Sequence, residues 1–117
     1  MNGTELVRHH FGLIDAGEML ALADLFALDA VYRRPGFPQF VGRREILRFY
    51  TRLRPIRTGR HTLEEVIGTG TRLAVQGGFS GELHGGERID LRFSDFFELG
   101  SDGRFIRRDT YFFAPLT

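Results

Sequence analysis

The sequence predicts an α+β domain: helices gathered towards the N-terminus, then an antiparallel meander. Three observations carry this. Apolar residues recur at helical spacing up to residue 54, they alternate with period two from residue 61 onward, and Gly-rich turns separate the alternating runs.

Asn2 with Glu5 three residues later is a capping-box start. Leu6, Val7, His10, Phe11, Leu13 and Ile14 then follow helical spacing, and Asp15-Ala16-Gly17 ends the run. A second helix is expected from Glu18 to about Ala27, with Leu22, Leu25 and Phe26 inward. Ala30 to Arg34 reads as a strand ended by Pro35-Gly36. A third helix is expected from about Arg43 to Arg54, stopped by Pro55, with Ile46, Leu47, Phe49, Tyr50 and Leu53 on its apolar side. Strands are expected at His61 to Ile67, Leu73 to Leu83, Glu87 to Leu99 and Arg104 to Phe113. Gly100-Ser101-Asp102-Gly103 joins the last two as a hairpin, and Gly77-Gly78 and Gly85-Gly86 are read as bends and turns.

At 117 residues the chain is one domain, large enough for a core without staples. Without Cys it has no disulfide scaffold, zinc finger or cysteine nucleophile. His9 and His10 are adjacent and no H-x-x-x-H spacing occurs, so no metal is expected. No apolar run reaches the roughly 20 residues of a membrane span and no signal-peptide layout opens the chain, so a cytoplasmic protein is expected. Net charge is +1, but residues 33–60 hold nine Arg against Glu45, +8 in all, leaving −7 elsewhere. Every basic side chain is Arg. These Arg residues follow no nucleic-acid-binding motif, and neither nucleic acid nor membrane is an expected partner.

Two residues break the apolar pattern. Alternation puts Asp95 in a row with Ile89, Leu91, Phe93 and Phe97, where a carboxylate must be paired, strongly hydrogen-bonded or protonated. His10 shares its helical stripe with Leu6, Leu13 and Ile14. Either could be a tied-down structural residue; together they are the candidate catalytic groups. Tyr32 and Arg34 share one strand face, and Arg108, Thr110 and Phe112 share a parity opposed to Arg107, Asp109 and Tyr111. His61 opens a strand, and His84 lies in a turn without an assigned role.

The segments Leu-Ile-Asp-Ala-Gly-Glu at 13–18, Leu-Phe-Ala-Leu-Asp-Ala-Val-Tyr at 25–32, Gly-Arg-Arg-Glu-Ile-Leu-Arg-Phe-Tyr at 42–50 and Phe-Phe-Glu-Leu-Gly-Ser-Asp-Gly-Arg-Phe-Ile at 96–106 resemble the nuclear transport factor 2-like superfamily, in its SnoaL-like and ketosteroid isomerase-like branch. The resemblance implies three helices packed on a strongly curved, mainly antiparallel sheet that forms a cone-shaped α+β barrel. It maps the steroid isomerase's oxyanion-hole Asp onto Asp95 and its oxyanion-hole Tyr onto His10. The general-base Asp maps onto Arg34, a departure that removes the proton-shuttling carboxylate. The Arg-x-Asp pair of the epoxide-hydrolase branch falls on Gln76 and Gly78. The row of Asp109 faces away from the cavity in this family, which implies a surface ion pair or a dimer contact for it.

The expected function is a cofactor-free acid–base enzyme, of isomerase or polyketide-cyclase type, acting on a hydrophobic carbonyl compound in a conical pocket. Asp95 would hydrogen-bond the developing oxyanion and His10 would shuttle the proton. Tyr32, Arg34, Phe49, Phe93, Phe97, Arg108 and Phe112 are the expected substrate-binding residues. The alternative is a non-catalytic binding or dimerisation module on the same scaffold. A homodimer through the outer sheet face, where Phe96 and Tyr111 fall, is expected from the resemblance.

Overall fold

The computed structural model describes residues 1–113. Helix α1 (Gly3–Ala16) starts as expected: the Asn2 side chain accepts from the Glu5 amide, and Glu5 reaches back to the Asn2 amide. Gly17 ends it in the left-handed conformation at φ 76°, with its amide donating to the last carbonyls of the helix. Helix α2 (Met19–Ala23) is shorter than its apolar spacing predicts. Strand β1 (Phe26–Arg33) takes over because Phe26 pairs with Phe105 and the Phe105 amide donates to the Leu25 carbonyl. Leu22 and Phe26 are buried as expected, but long-range pairing overrides the local helical pattern there.

Strand β2 (Phe40–Val41), absent from the expectation, pairs antiparallel with β1. Helix α3 (Arg43–Arg48) runs into a π-helical turn at Phe49–Leu53, closed by the Arg54 amide donating to the Phe49 carbonyl. That widened turn buries both Phe49 and Tyr50, whereas Leu53, expected inward, is exposed.

Strands β3 (Ile56–Thr69), β4 (Arg72–Leu83), β5 (Arg88–Leu99) and β6 (Phe105–Phe113) form the meander. The sheet order is β2-β1-β6-β5-β4-β3, antiparallel except for the parallel β1–β6 pair. The curved sheet does not close: β2 and β3 are its edges, so the expected barrel is an open one. A bulge between Leu63 and Glu65 bends β3 where it faces Gly77. A Cβ on Gly77 would lie 2.0 Å from the Thr62 carbonyl oxygen, so the close approach at this bend requires glycine.

The helices cover the concave face, and the core lies between them around Phe11, Phe26, Phe49, Phe97 and Phe105. Among the described residues, no helix is long and apolar enough to cross a membrane.

Candidate active site

Alternation along β5 and β6 turns Phe93, Asp95, Arg108, Thr110 and Phe112 inward, where they meet the π-helical turn after α3 and the start of β3. The small cavity they enclose has a free volume of about 30 Å³. Its wall also carries Arg34, Tyr50, Arg54 and His61.

Asp95 is fully buried, and its Oδ2 accepts from Arg108 Nε at 2.7 Å. Arg108 Nη1 donates to the Tyr50 hydroxyl at 2.5 Å, and the guanidinium lies 4.5 Å over the Tyr32 ring. Burial alone would lower the Arg108 pKa, but Asp95, Tyr32 and Tyr50 outweigh it and hold the guanidinium charged. Asp95, expected to donate to an oxyanion, is therefore itself the acceptor of a charged donor. Its second oxygen, Oδ1, is buried without a partner among the described residues.

The Tyr32 hydroxyl lies 3.3 Å from Thr110 Oγ1 and takes a long 3.4 Å contact from Arg34 Nη1. Burial pushes its phenol up to about 12. Tyr32, Phe49 and Phe97 support the site without lining the cavity. Phe49 lies 4.8 Å beneath the Arg34 guanidinium, and Phe97 packs under Arg108 and against His10.

His61 is the principal residue that sequence reasoning missed. Its Nδ1 lies 2.6 Å from Asp15 Oδ1, and its backbone amide donates to Asp15 Oδ2 at 2.8 Å. A carboxylate only accepts, so the ring proton sits on Nδ1 and the Nε2 lone pair is left free. Burial lowers the His61 pKa, and the hydrogen bond and charge of Asp15 oppose that only in part. The ring is therefore neutral near pH 7. A signal was present in the sequence: Asp15 stands in the last turn of α1, where the helix dipole disfavours an acid, so another partner was called for.

His10, expected as the proton shuttle, is elsewhere. It is fully buried among Phe11, Phe26, Phe97 and Phe105, at ring-centroid distances of 4.6, 5.7, 5.1 and 5.6 Å, and does not line the cavity. Both ring nitrogens lack a hydrogen-bond partner among the described residues, and burial, then Arg108, holds its pKa well below 6.5. The helical stripe correctly placed His10 in the core, but the aromatic layer separates it from the cavity. A consequence follows for acid stability. The unfolded chain binds this proton below pH 6.5 and the native chain does not, so stability is lost as the pH drops below 6.5, at up to about 1.4 kcal/mol per pH unit from this group. His61, lowered in the same direction, adds to the slope. His10→Leu is expected to flatten the slope and raise stability at pH 6 by about 1 kcal/mol. Urea unfolding at pH 5 to 8 reads both, and an unchanged slope would refute the assignment.

A family model described as a SnoaL-like domain matches residues 7–108. The chain belongs to that family. The SnoaL-like domain is similar over nearly its whole length to solved structures of the nuclear transport factor 2-like class. One, from Burkholderia pseudomallei and of unknown function, is 19% identical with a TM-score of 0.86, over 97% of this chain and 92% of that one. A second, from Catenulispora acidiphila, has a ketosteroid isomerase-like fold; it is 17% identical with a TM-score of 0.83, over 94% and 86%. A third is SalBIII, an epoxide hydrolase/cyclase-like enzyme of pyran ring formation in the polyether salinomycin, 16% identical with a TM-score of 0.81, over 93% and 88%. No curated protein matches.

Asp109, in this SnoaL-like domain, is held by Arg33 through two parallel hydrogen bonds of 2.7 and 2.8 Å on the outer side of the sheet. His84 accompanies the site from outside, with its Nε2 3.0 Å from the Arg54 carbonyl oxygen.

Proposed function

We propose that this SnoaL-like domain is a cofactor-free acid–base catalyst that moves a proton next to the carbonyl of a small molecule, chemistry of the isomerase or cyclase type. The observation that carries this reading is the His61–Asp15 pair, whose ring borders the same cavity as the Arg108–Tyr50 hydrogen bond. The Nε2 lone pair of His61 takes the proton, and Asp15 stabilises the imidazolium that forms. Tyr50, which accepts from Arg108, keeps its own proton to donate to the enolate oxygen as charge develops there. Asp95 acts through Arg108, as a positioning residue.

The test is deuterium uptake next to the carbonyl in a panel of small ketones, followed by NMR in heavy water. Uptake above background that disappears in His61→Gln is expected; no uptake from any ketone by the wild type would refute the reading. Arg34 at the position of the family's carboxylate favours a second reading, binding without turnover. Ligand retention with no exchange selects it.

For the partner, the proposal is a second copy of the chain over the outer sheet face. Phe96 and Tyr111 pack edge to face there and are both about half exposed. Sedimentation at micromolar concentration is expected to give a dimer that Phe96→Glu dissociates, and a wild-type monomer would overturn the proposal.

A further inference from the structure

Among the described residues three guanidiniums border the cavity, those of Arg34, Arg54 and Arg108, and the one carboxylate on its wall is Asp95. Asp95 is taken by Arg108. Two cations therefore remain without a counter-charge among the described residues.

Arg54 is the more telling of the two. It is only 9% exposed, and among the described residues it forms no ion pair and its buried Nε has no hydrogen-bond partner. The contacts that hold it are the Tyr50 and Phe79 rings, 5.5 and 5.8 Å from the guanidinium carbon. Aromatic faces return only part of what a guanidinium loses on leaving water. Its backbone is tied at both polar groups: the amide donates to the Phe49 carbonyl, and the carbonyl oxygen lies 3.0 Å from His84 Nε2. Arg34 repeats the pattern: its Nε is buried and unpartnered, and Phe49, Phe37 and Phe112 surround the guanidinium. A fold that places two such groups on one cavity leaves a hole for an anion. His61 cannot help to neutralise them, being a base beside a carboxylate of its own.

Arg54 also borders a wider cleft of about 400 Å³, which shares the Tyr50–Arg54–Ile56 wall with the inner cavity. That cleft also carries Arg52, Arg57 and the Asp15 carboxylate, and Arg54 stands on the wall between it and the inner cavity.

We infer that the site binds a small carboxylate, with Arg34 and Arg54 holding the carboxylate and the carbonyl end of the molecule turned towards His61. This rests on the function proposed above for the identity of the reacting end, though not for the anion site itself. The planar forks of two guanidiniums match a planar carboxylate; the free volume of about 30 Å³ is room for about two waters, so a short keto acid enters only as the wall shared with the wider cleft opens.

The test uses 4-oxopentanoate, its neutral methyl ester and inorganic phosphate as probes, with binding measured by calorimetry on wild type, Arg54→Met and Arg34→Met. The expected result is that the acid binds at least about tenfold tighter than the ester, and that salt weakens the acid alone. Arg54→Met is expected to lose about tenfold on the acid and nothing on the ester. It is also expected to unfold at a higher temperature than wild type when ligand-free, because an unpaired buried charge has been replaced by an apolar chain of similar length. Equal affinity for acid and ester, unchanged acid affinity in Arg54→Met, or phosphate binding in place of the acid would each overturn the inference. Should Arg54→Met fail to fold, the Arg34→Met comparison carries the same decision. Failure of the two readings is distinguishable. Acid binding without deuterium uptake upholds the anion site and defeats the proton-transfer reading, whereas uptake by neutral ketones with no preference for the acid does the reverse.

Discussion

Asp95→Asn is expected to destabilise the fold by about 3–5 kcal/mol, because the change strands a buried cation. Arg108 is 3% exposed, and Asp95 is its ion-pair partner, through Oδ2 at 2.7 Å. Asparagine has nearly the same shape, so packing is kept and the loss is electrostatic. The remaining partner of Arg108, the Tyr50 hydroxyl, is neutral and cannot replace the charge. Urea unfolding checks the magnitude, and a loss below about 1 kcal/mol would show that Arg108 does not depend on the pair. The double variant Asp95→Leu/Arg108→Met provides the control. It removes both charges and is expected to recover most of the loss, since well-packed apolar groups often replace a buried pair at little cost. The prediction bears on function as well. Loss of turnover in Asp95→Asn reports on chemistry only if the variant is shown to be folded under assay conditions.

His61→Gln is expected to lower kcat/KM by about 10²–10⁴-fold with little change in stability, the usual contribution of a positioned general base. Glutamine can still hydrogen-bond towards Asp15, but it has no lone pair of comparable basicity to offer the substrate. The pH profile tests the same assignment independently. The base must be deprotonated to act, so activity rises with pH through the His61 pKa. Burial lowers that pKa, which puts the acid limb below 6.5. Asp15 works in the opposite direction, raising it by hydrogen bond and charge. Asp15→Asn is therefore expected to shift the acid limb further down while reducing the plateau rate, because the Nδ1–H tautomer is held less firmly. An acid limb that stays in place in Asp15→Asn, or a His61→Gln enzyme of wild-type rate, would rule out the dyad as the base.

Much of the fold could be read from periodicity. The boundaries of β4, β5 and β6 fall within one residue of those expected; β4 and β5 keep one face on the core and alternate cleanly, whereas in β6 Arg108, Asp109 and Thr110 are buried in succession. The capping box at Asn2 and the glycine stop at Gly17 likewise act within a few residues of chain. Phe26 shows where this ends. Its spacing from Leu22 is helical, yet it lies in a strand because β6, eighty residues away in the chain, supplies hydrogen bonds that no local pattern encodes.

The site divides along the same line. Sequence by itself marked Asp95 and His10 as polar residues in apolar rows, and both are fully buried. Burial follows from the periodicity of one element, so one element's sequence was enough to determine it. What each residue meets there is a property of two or three elements at once. The tertiary structure set Arg108 against Asp95, enclosed His10 in phenylalanine rings and joined Asp15 to His61 across 46 positions of chain. It also turned Arg34 and Arg54, two of nine arginines in one segment, onto the cavity wall while Arg33 and Arg57 found carboxylates away from it. Pairing energies act over a few ångströms of space and are indifferent to separation along the chain. The roles of these charged side chains were therefore decided only when the sheet curled and brought the elements together.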